Sequence, residues 1–599
     1  MRALTFLPLG AALSLSSVAL AQMPGPMAPG PMSNGAPGER EFRTVDGTRN
    51  NRENPLWGSA NSQLVRSAPS AYGNGTDTPA GGSRPSARRI SNAVADQAEP
   101  VSDPSGASDY VWQWGQFLDH DLTLTPVLHP AEFLQIPVPT GDAFFDPFST
   151  GTATIPLDRS YYELDANGVR QQFNEITSYI DASNVYGSDI ERANELRTMD
   201  GTGRLKTSAG DLLPFNVNGL PNAPSTDATF FLAGDFRANE QAGLTAMHTL
   251  FVREHNYWAE RIAGQQGARP ASNRDDGRRD TRARRSRGGN GGGGPSGGPG
   301  QGGGGQGGSG GGPNDHGGHG GQPLTGDEIY EAARAIVAAE MQAITYREFL
   351  PIVLGEDALA PYSGYRSDVD ATITNEFATA AYRFGHTMLS PTLLRVDRNG
   401  QTIAQGNLEL AAAFLDPTNI TEGGGIDPIL RGLAMQPAQR IDNQLVDGVR
   451  NFLFGPPGSG GFDLASLNIE RGRDHGLADY NTVRRSNGLA PRTSFAEITS
   501  DATLARKLAR LYRSIDDVDL WVAGLAEDRV PGALVGETFH TILKAQFEAL
   551  RDGDRFWYER DLPPQLVALV NEQTLGRILR RNTRIGGELQ RNVFLVRNP

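Results

Sequence analysis

The sequence predicts one large, mainly α-helical domain with little β-structure, and three observations carry that prediction. Apolar residues recur at i, i+3 and i+4 in Thr245–Ala263, Thr325–Phe349, Asn375–Leu389, Ala502–Leu511 and Gly536–Leu550, the spacing of a helix face. Segments with chemically distinctive side chains are spread from Trp114 to Asp474, so a single domain must gather them if they serve one site. Two stretches, 22–40 and 270–323, are too rich in Pro, Gly or Arg to build a core; they mark a tail and an insert in a domain spanning 41–597.

At the N-terminus, Met1-Arg2 precedes an apolar run, Ala3 to Val18, that ends in Ala19-Leu20-Ala21 before Gln22. This is the pattern of a secretory signal peptide, 1–21, too short to span a bilayer. No later apolar run reaches membrane-spanning length, so export to a periplasmic or extracellular space as a soluble monomer is expected. The 599 residues include no cysteine, so no disulfide framework assists folding. Positive charge is almost wholly arginine, with lysine only at Lys206, Lys507 and Lys544, which reads as a composition bias. The formal net charge of −14 argues against a general nucleic-acid partner. Within the insert, Arg274 to Arg287 and the glycine tract read as a flexible spacer or as a contact for an anionic surface; His316 and His319 are at most a weak metal site.

The most informative stretch is Trp114 to Asp121, which sets Asp119, His120 and Asp121 side by side behind Gln116. On a helix Gln116 and His120 lie about 40° apart, Asp119 about 60° to one side of Gln116, and Asp121 about 100° beyond His120. One helix can thus aim a base into a pocket, hold one acid at its rim and turn another toward a cation. Taken alone, the cluster also fits a helix cap or a solvated turn. From Thr177 to Ser183, oxygen-bearing residues alternate; Thr177, Asp181 and Ser183 would face one side, where Asp121 could complete a hard-oxygen site suited to calcium. An ordinary polar strand fits equally well. Arg237 and Glu240 share a helical face, His386 ends an apolar run at Phe377 to Pro391, and Leu467 to Gly476 reads LNIERGRDHG.

In this order, from Phe42 (FRTVDGTRNN, NPLWGS) to about Phe594, these motifs resemble the animal-type haem peroxidases, the superfamily of myeloperoxidase, lactoperoxidase and peroxidasin. The resemblance implies a single haem peroxidase domain with haem b in a helical core. It makes His120 the distal base, Gln116 a lining residue of the distal cavity and Arg237 the distal cation. His386 becomes the proximal iron ligand, with Asn468 accepting from its other ring nitrogen, and Arg383 and Arg471 take positions that pair with haem propionates. Asp119 and Glu240 match two carboxylates that form ester links to the haem, and Asp121, Thr177, Tyr179 (through its carbonyl), Asp181 and Ser183 match a calcium site. His248, His255 and His475 are expected to be structural imidazoles satisfied by neighbouring polar groups. Gln241 stands where myeloperoxidase has a methionine linked to haem as a sulfonium, so no third link is expected, and Arg49 replaces a half-cystine.

The implied function is reduction of hydrogen peroxide through a ferryl intermediate and oxidation of a small donor: halide, pseudohalide or phenol. Peroxide must lose a proton from one oxygen and regain it on the other, which suits a histidine. The departing charge suits a fixed guanidinium in a dry pocket. An amide partner such as Asn468 pushes less electron density to the iron than a carboxylate would. Two rival functions are a fatty-acid dioxygenase of the same superfamily and a non-catalytic secreted binding protein. The first needs a tyrosine three residues before the proximal histidine, where Arg383 stands; Tyr382 is one residue early and turned about 100° away. Against the second stands the joint retention of His120, Arg237, His386 and Asn468.

Overall fold

The computed structural model describes residues 41–267, 324–458 and 461–597. The leader 1–21, the tail 22–40 and the insert 270–323, with His316 and His319, lie outside the described residues. Helices dominate, as the periodicity predicts. Those that frame the site are α1 (Tyr110–Leu122), α2 (Ala242–Gly267), α3 (Gly326–Ile344), α4 (Leu464–Asp474), α5 (Glu537–Asp552) and α6 (Leu575–Asn582). Among the described residues no helix is long and apolar enough to cross a membrane.

Helix α1 is sunk into the core because its apolar side is aromatic. Trp114 and Phe117 meet Phe251 of α2 with ring centroids 5.8 and 5.0 Å apart, and Phe594 closes on Trp114 edge-on. Each such pair contributes about 0.5–1.5 kcal/mol beyond the area it buries. The helix therefore cannot rotate without breaking these contacts, and its polar edge is fixed in direction. Its C-terminal end is tied to the short strand Arg170–Asn174: the Asn174 side chain donates to the Leu122 carbonyl at 2.8 Å and accepts from the Leu124 N–H at 2.7 Å. That strand pairs antiparallel with Ser62–Gln63 and Tyr162–Leu164. A hairpin, Phe133–Pro137 with Thr154–Asp158, and the pair Thr392–Leu393 with Leu408–Glu409 are the other small sheets among the described residues.

Helix α3 starts where Thr325 and Glu328 form a reciprocal capping box, with Thr325 Oγ1 accepting from the Glu328 N–H at 3.2 Å. The expected element Thr325–Phe349 widens over Thr345–Phe349 before Leu350–Leu354 continues it. Pro351, with no N–H to give the Arg347 carbonyl, is the reason the regular ladder cannot persist. Helix α4 is N-capped by buried Asp463, which accepts from Ala465 and Ser466 and is gripped by Arg88 at 2.8 Å.

One expectation is corrected. Asn375–Leu389 is not a single helix: a short turn Asn375–Thr379 breaks at Ala380, and a 3-10 helix, Ala381–Thr387, carries the histidine. The physical cause is Arg383, whose Nε donates to the Ala378 carbonyl at 2.9 Å, the acceptor that residue 382 would use in an α-helix. This tight turn packs against both α1 and α5.

Helices α2, α3 and α6 meet at two fully buried acids, Glu254 and Glu340. Arg581 donates to Glu254 at 3.0 Å and to Glu340 at 3.2 Å, and the Trp258 indole also donates to Glu340 at 3.2 Å. One guanidinium cannot neutralise two carboxylates. Burial, reinforced by the Glu254 charge, holds Glu340 protonated well above the carboxylate range. Because the folded state holds this proton above the ordinary 4.5, the associated stability is complete below that pH and is lost as pH rises. Glu340→Gln, neutral at every pH, should therefore be more stable than wild type at pH 8 and flatten the decline above pH 5 by up to about 1.4 kcal/mol per unit in denaturant unfolding. Parallel pH profiles for the two proteins would contradict this reading.

Candidate functional site

The polar edge of α1 presents four side chains in two directions. Gln116 and Asp119 are only partly buried; burial raises the Asp119 carboxyl although nearly a third of its surface stays accessible. His120 and Asp121 are buried. His120 Nδ1 lies 3.5 Å from Asp235 Oδ1, and its Nε2 lies 3.7 Å from Glu240 Oε2. Burial, with the Arg237 charge adding to it, drives His120 well below the ordinary imidazole range and leaves a neutral base.

Arg237 is held by Asp235, a residue to which the sequence reading gave no role. Asp235 accepts from the Arg237 backbone N–H at 2.8 Å, from Nε at 2.9 Å and from Nη2 at 2.8 Å, and Nη2 also reaches the Thr123 carbonyl at 2.9 Å. Burial works against the Asp235 charge, yet the Arg237 guanidinium and its hydrogen bonds hold the carboxyl far below the usual range. The missed signal was the spacing: an aspartate two residues before a cation can accept from that residue's backbone N–H and orient its side chain. Arg237 Nη1 lies 3.8 Å from Asp119 Oδ2. Glu240, rising to about 7 through burial despite Arg237, completes the distal group, with Gln116 Nε2 donating to it at 3.2 Å.

On the opposite side, His386 is kept neutral: burial, and then the Arg383 charge, lower it to about 3. Asn468 touches His386 Nδ1 at 2.8 Å, but with its polarity reversed from expectation. Asn468 Nδ2 faces the ring, because Arg383 Nη1, which can only donate, claims Oδ1 at 3.0 Å. Arg383 pairs with no carboxylate among the described residues, and burial lowers it to about 10. Several buried arginines are paired with acids, Arg88 with Asp142 and Asp463, Arg473 with Asp519 and Arg484 with Glu527, whereas Arg192 and Arg395 are satisfied by backbone carbonyls. A half-buried cation left without an anion fits an anionic ligand, as a haem propionate would be. Arg471 donates to Ser160 Oγ at 2.8 Å and to Asp474 at 3.1 Å.

Asp121 points away from the cavity into the turn at 177–184. Its oxygens accept from Ser183 Oγ at 2.9 Å and from the N–H groups of Asp181, Ala182 and Asn184, each at 3.2 Å. Asp181 accepts from Thr177 Oγ1 and the Ser183 N–H, both at 3.0 Å, while its second oxygen is buried without a partner. Burial raises both acids; the Asp181 charge adds to it at Asp121, while Arg43 and Arg334 work against it at Asp181. Among the described residues no three His, Cys, Asp or Glu side chains cluster around a metal position, so a cation here would take two carboxylates and several neutral oxygens. The Tyr179 hydroxyl is engaged with the Trp57 carbonyl at 2.7 Å.

The remaining histidines divide. His255 is bonded to Tyr186 Oη and the Gly203 carbonyl, and His475 to Asn375 and Ser160, as structural imidazoles. His248 departs from that expectation: it packs edge-on against Phe117 at 5.0 Å and neither ring nitrogen has a well-formed hydrogen bond. Tyr382 stacks on Phe377 at 4.7 Å; the 3-10 pitch turns it about 120° from Arg383.

A cavity of about 360 Å³ opens beside the distal group, lined by Pro224, Phe230, Phe414, Leu415 and Phe454. Its wall is continuous with the site, since the Leu415 N–H donates to the Glu240 carbonyl and the Ala242 N–H to Ala413.

A family model described as animal haem peroxidase matches residues 42–285 and 319–594. Peroxinectin A of Dictyostelium discoideum is 34% identical over 575 residues, covering 93% of this chain and 96% of that protein. The peroxidasin homolog of Mus musculus is 35% identical over 616 residues, which span 38% of its length. Among solved structures, peroxidase A from Dictyostelium discoideum superposes with a TM-score of 0.77 at 31% identity, covering 93% of this chain and 99% of that one. A fatty acid alpha-dioxygenase from Arabidopsis thaliana, at 18% identity and a TM-score of 0.70, shares the fold.

Proposed function

The chain belongs to the animal haem peroxidase family, and from that premise we propose that it reduces hydrogen peroxide at His120 and Arg237 and oxidises a small halide, pseudohalide or phenolic donor. The observation that carries the reading is a neutral, buried imidazole and a fixed guanidinium set against one carboxylate, that of Asp235. Haem, when bound, supplies the iron that breaks the O–O bond and takes up the two oxidising equivalents. His386 would be its axial ligand, Arg383 and Arg471 its propionate partners, and Asp119 and Glu240 the carboxylates for ester links.

The protein's own part is proton transfer and charge. His120 Nε2 takes the proton from one peroxide oxygen and delivers it to the other, so that water leaves. Arg237, immobilised by Asp235, stabilises negative charge on the departing oxygen without having to reorganise. Asp235 also faces His120 Nδ1, which favours the tautomer that keeps Nε2 free to accept a proton. The phenylalanine-lined cavity beside Glu240 supports entry of a small apolar donor or an ion. Asn468, with its carbonyl turned from Arg383 to His386 Nδ1, would leave Nε2 as the free ring nitrogen for iron once a propionate engages Arg383. The apolar run from Ala3 to Val18, read as part of a secretory leader, supports action outside the cytoplasm.

Two tests follow. His120→Ala should retain haem but react with peroxide 10²- to 10⁴-fold more slowly in stopped-flow absorbance, about the weight of general acid–base catalysis. An undiminished rate would remove His120 from the mechanism. For the cation site we propose calcium, held by Asp121, Asp181, Thr177, Ser183 and the Tyr179 carbonyl, because two buried carboxylates meet there among neutral oxygens and Asp181 Oδ2 is buried without a hydrogen-bond partner. Exhaustive chelation should lower both the thermal midpoint and peroxide turnover, and calcium should restore them. Demonstrably metal-free protein with an unchanged midpoint and turnover would refute the site.

A further inference from the structure

Three amides, Gln113 and Gln241 buried and Gln116 partly exposed, lead from the start of α2 to Glu240, and their polarities follow from the Gly243 N–H at one end. The Gly243 N–H, at the first turn of α2, donates to Gln241 Oε1 at 2.6 Å. A backbone N–H cannot be reversed, so Gln241 must turn its Nε2 the other way, where it donates to Gln113 Oε1 at 2.7 Å and to Gln116 Oε1 at 3.0 Å. Gln116 Oε1 also takes a longer bond from Gln113 Nε2 at 3.5 Å, and with its carbonyl claimed, chiefly by Gln241, Gln116 presents Nε2 to Glu240 at 3.2 Å. The packing leaves this arrangement no slack: Gln113 and Gln241 are buried, and a Cβ at Gly243 would stand 2.3 Å from Gln113 Oε1. Either amide, if turned over, would face like groups and leave a buried donor or acceptor unmet.

We infer that Gln241 is a positioning residue: it sets the polarity of the Gln116 amide, so that the distal cavity offers an N–H donor to anions rather than a carbonyl oxygen. This rests on the proposed function, in which Gln116 borders the distal face. It assigns Gln241 a positive role beyond occupying the place of a linking methionine. An anion in that cavity would accept from Gln116 Nε2, a charge-assisted bond; with the amide reversed, it would instead meet a repelling carbonyl.

The test is a double-mutant cycle read by fluoride binding to the ferric holoenzyme, followed by the Soret shift rather than by turnover. Gln241→Leu removes both the acceptor for Gly243 and the donors. Gln241→Glu keeps the acceptor, so it protects the start of α2 if the leucine variant fails to fold. Each is measured with Gln116 intact and in a Gln116→Leu background, so that the direct effect of the glutamate charge cancels. Fluoride should bind about tenfold more weakly in either Gln241 variant when Gln116 is present, the scale of one hydrogen bond to a charged group. In the Gln116→Leu background the further change should be under about twofold. Equal weakening in both backgrounds, or none in either, overturns the inference. Wild-type fluoride affinity in Gln116→Leu alone would instead remove Gln116 from the distal face, and both readings would fall together.

Discussion

The carboxylate of Asp235 joins three parts of the chain whose relative placement the distal site depends on. It takes three hydrogen bonds from Arg237 and lies 3.5 Å from His120, while its own backbone N–H donates to the Asn184 carbonyl at 2.9 Å. Asn184 in turn donates through its backbone to Asp121 and through its side chain to the Phe117 carbonyl of α1. The cation turn, the base and the guanidinium thus share one hydrogen-bonded frame. Gly234 makes the approach possible, since a Cβ there would stand 2.4 Å from the Ser183 carbonyl. A buried ion pair stabilises only when its remaining lone pairs are satisfied, and Asp235 meets that condition.

The arginines extend the same logic across the molecule. Read as composition, their excess over lysine looks like bias. In the fold many of them are buried clamps between distant segments: Arg88 joins the 142 loop to the cap of α4, and Arg159 reaches Asp474 at 2.7 Å. Such clamps hold together a large domain with no disulfide, because a planar fork can satisfy two carboxylate oxygens at once. Arg383 is half-buried, has no acid partner among the described residues, and spends its donors on the Ala378 carbonyl and Asn468. The same residue breaks the proximal helix and sets the Asn468 amide, so the backbone, the cation and the histidine are coupled on that side.

Much of this was legible in the sequence. Side-chain periodicity located the helices, because burial of a face imposes 3.6-residue spacing; it also gave the α1 geometry that splits Asp119 from Asp121. The motifs identified the family and the candidate residues. What spacing could not convey was side chain acting on backbone: Arg383 capturing the Ala378 carbonyl, Pro351 opening the end of α3, and the reversed Asn468 amide each depend on contacts made only after folding. Asp235 was visible but unread: its two-residue spacing to Arg237 lies in the sequence, whereas the approach of His120 to the same carboxylate is made only by folding. The Gln113, Gln116 and Gln241 chain was likewise invisible, because amide polarity is a property of the packed network.

The central claim is that one haem binds between His120 and His386, with the proximal imidazole as its ligand. Titration of haem into purified protein, followed by absorbance and electron paramagnetic resonance, tests it most directly. The account predicts saturation at one haem per chain with an axial-imidazole ferric signature, and loss of that signature in His386→Ala with restoration by added imidazole. An unchanged ferric signature in His386→Ala, or saturation at any other stoichiometry, would contradict it.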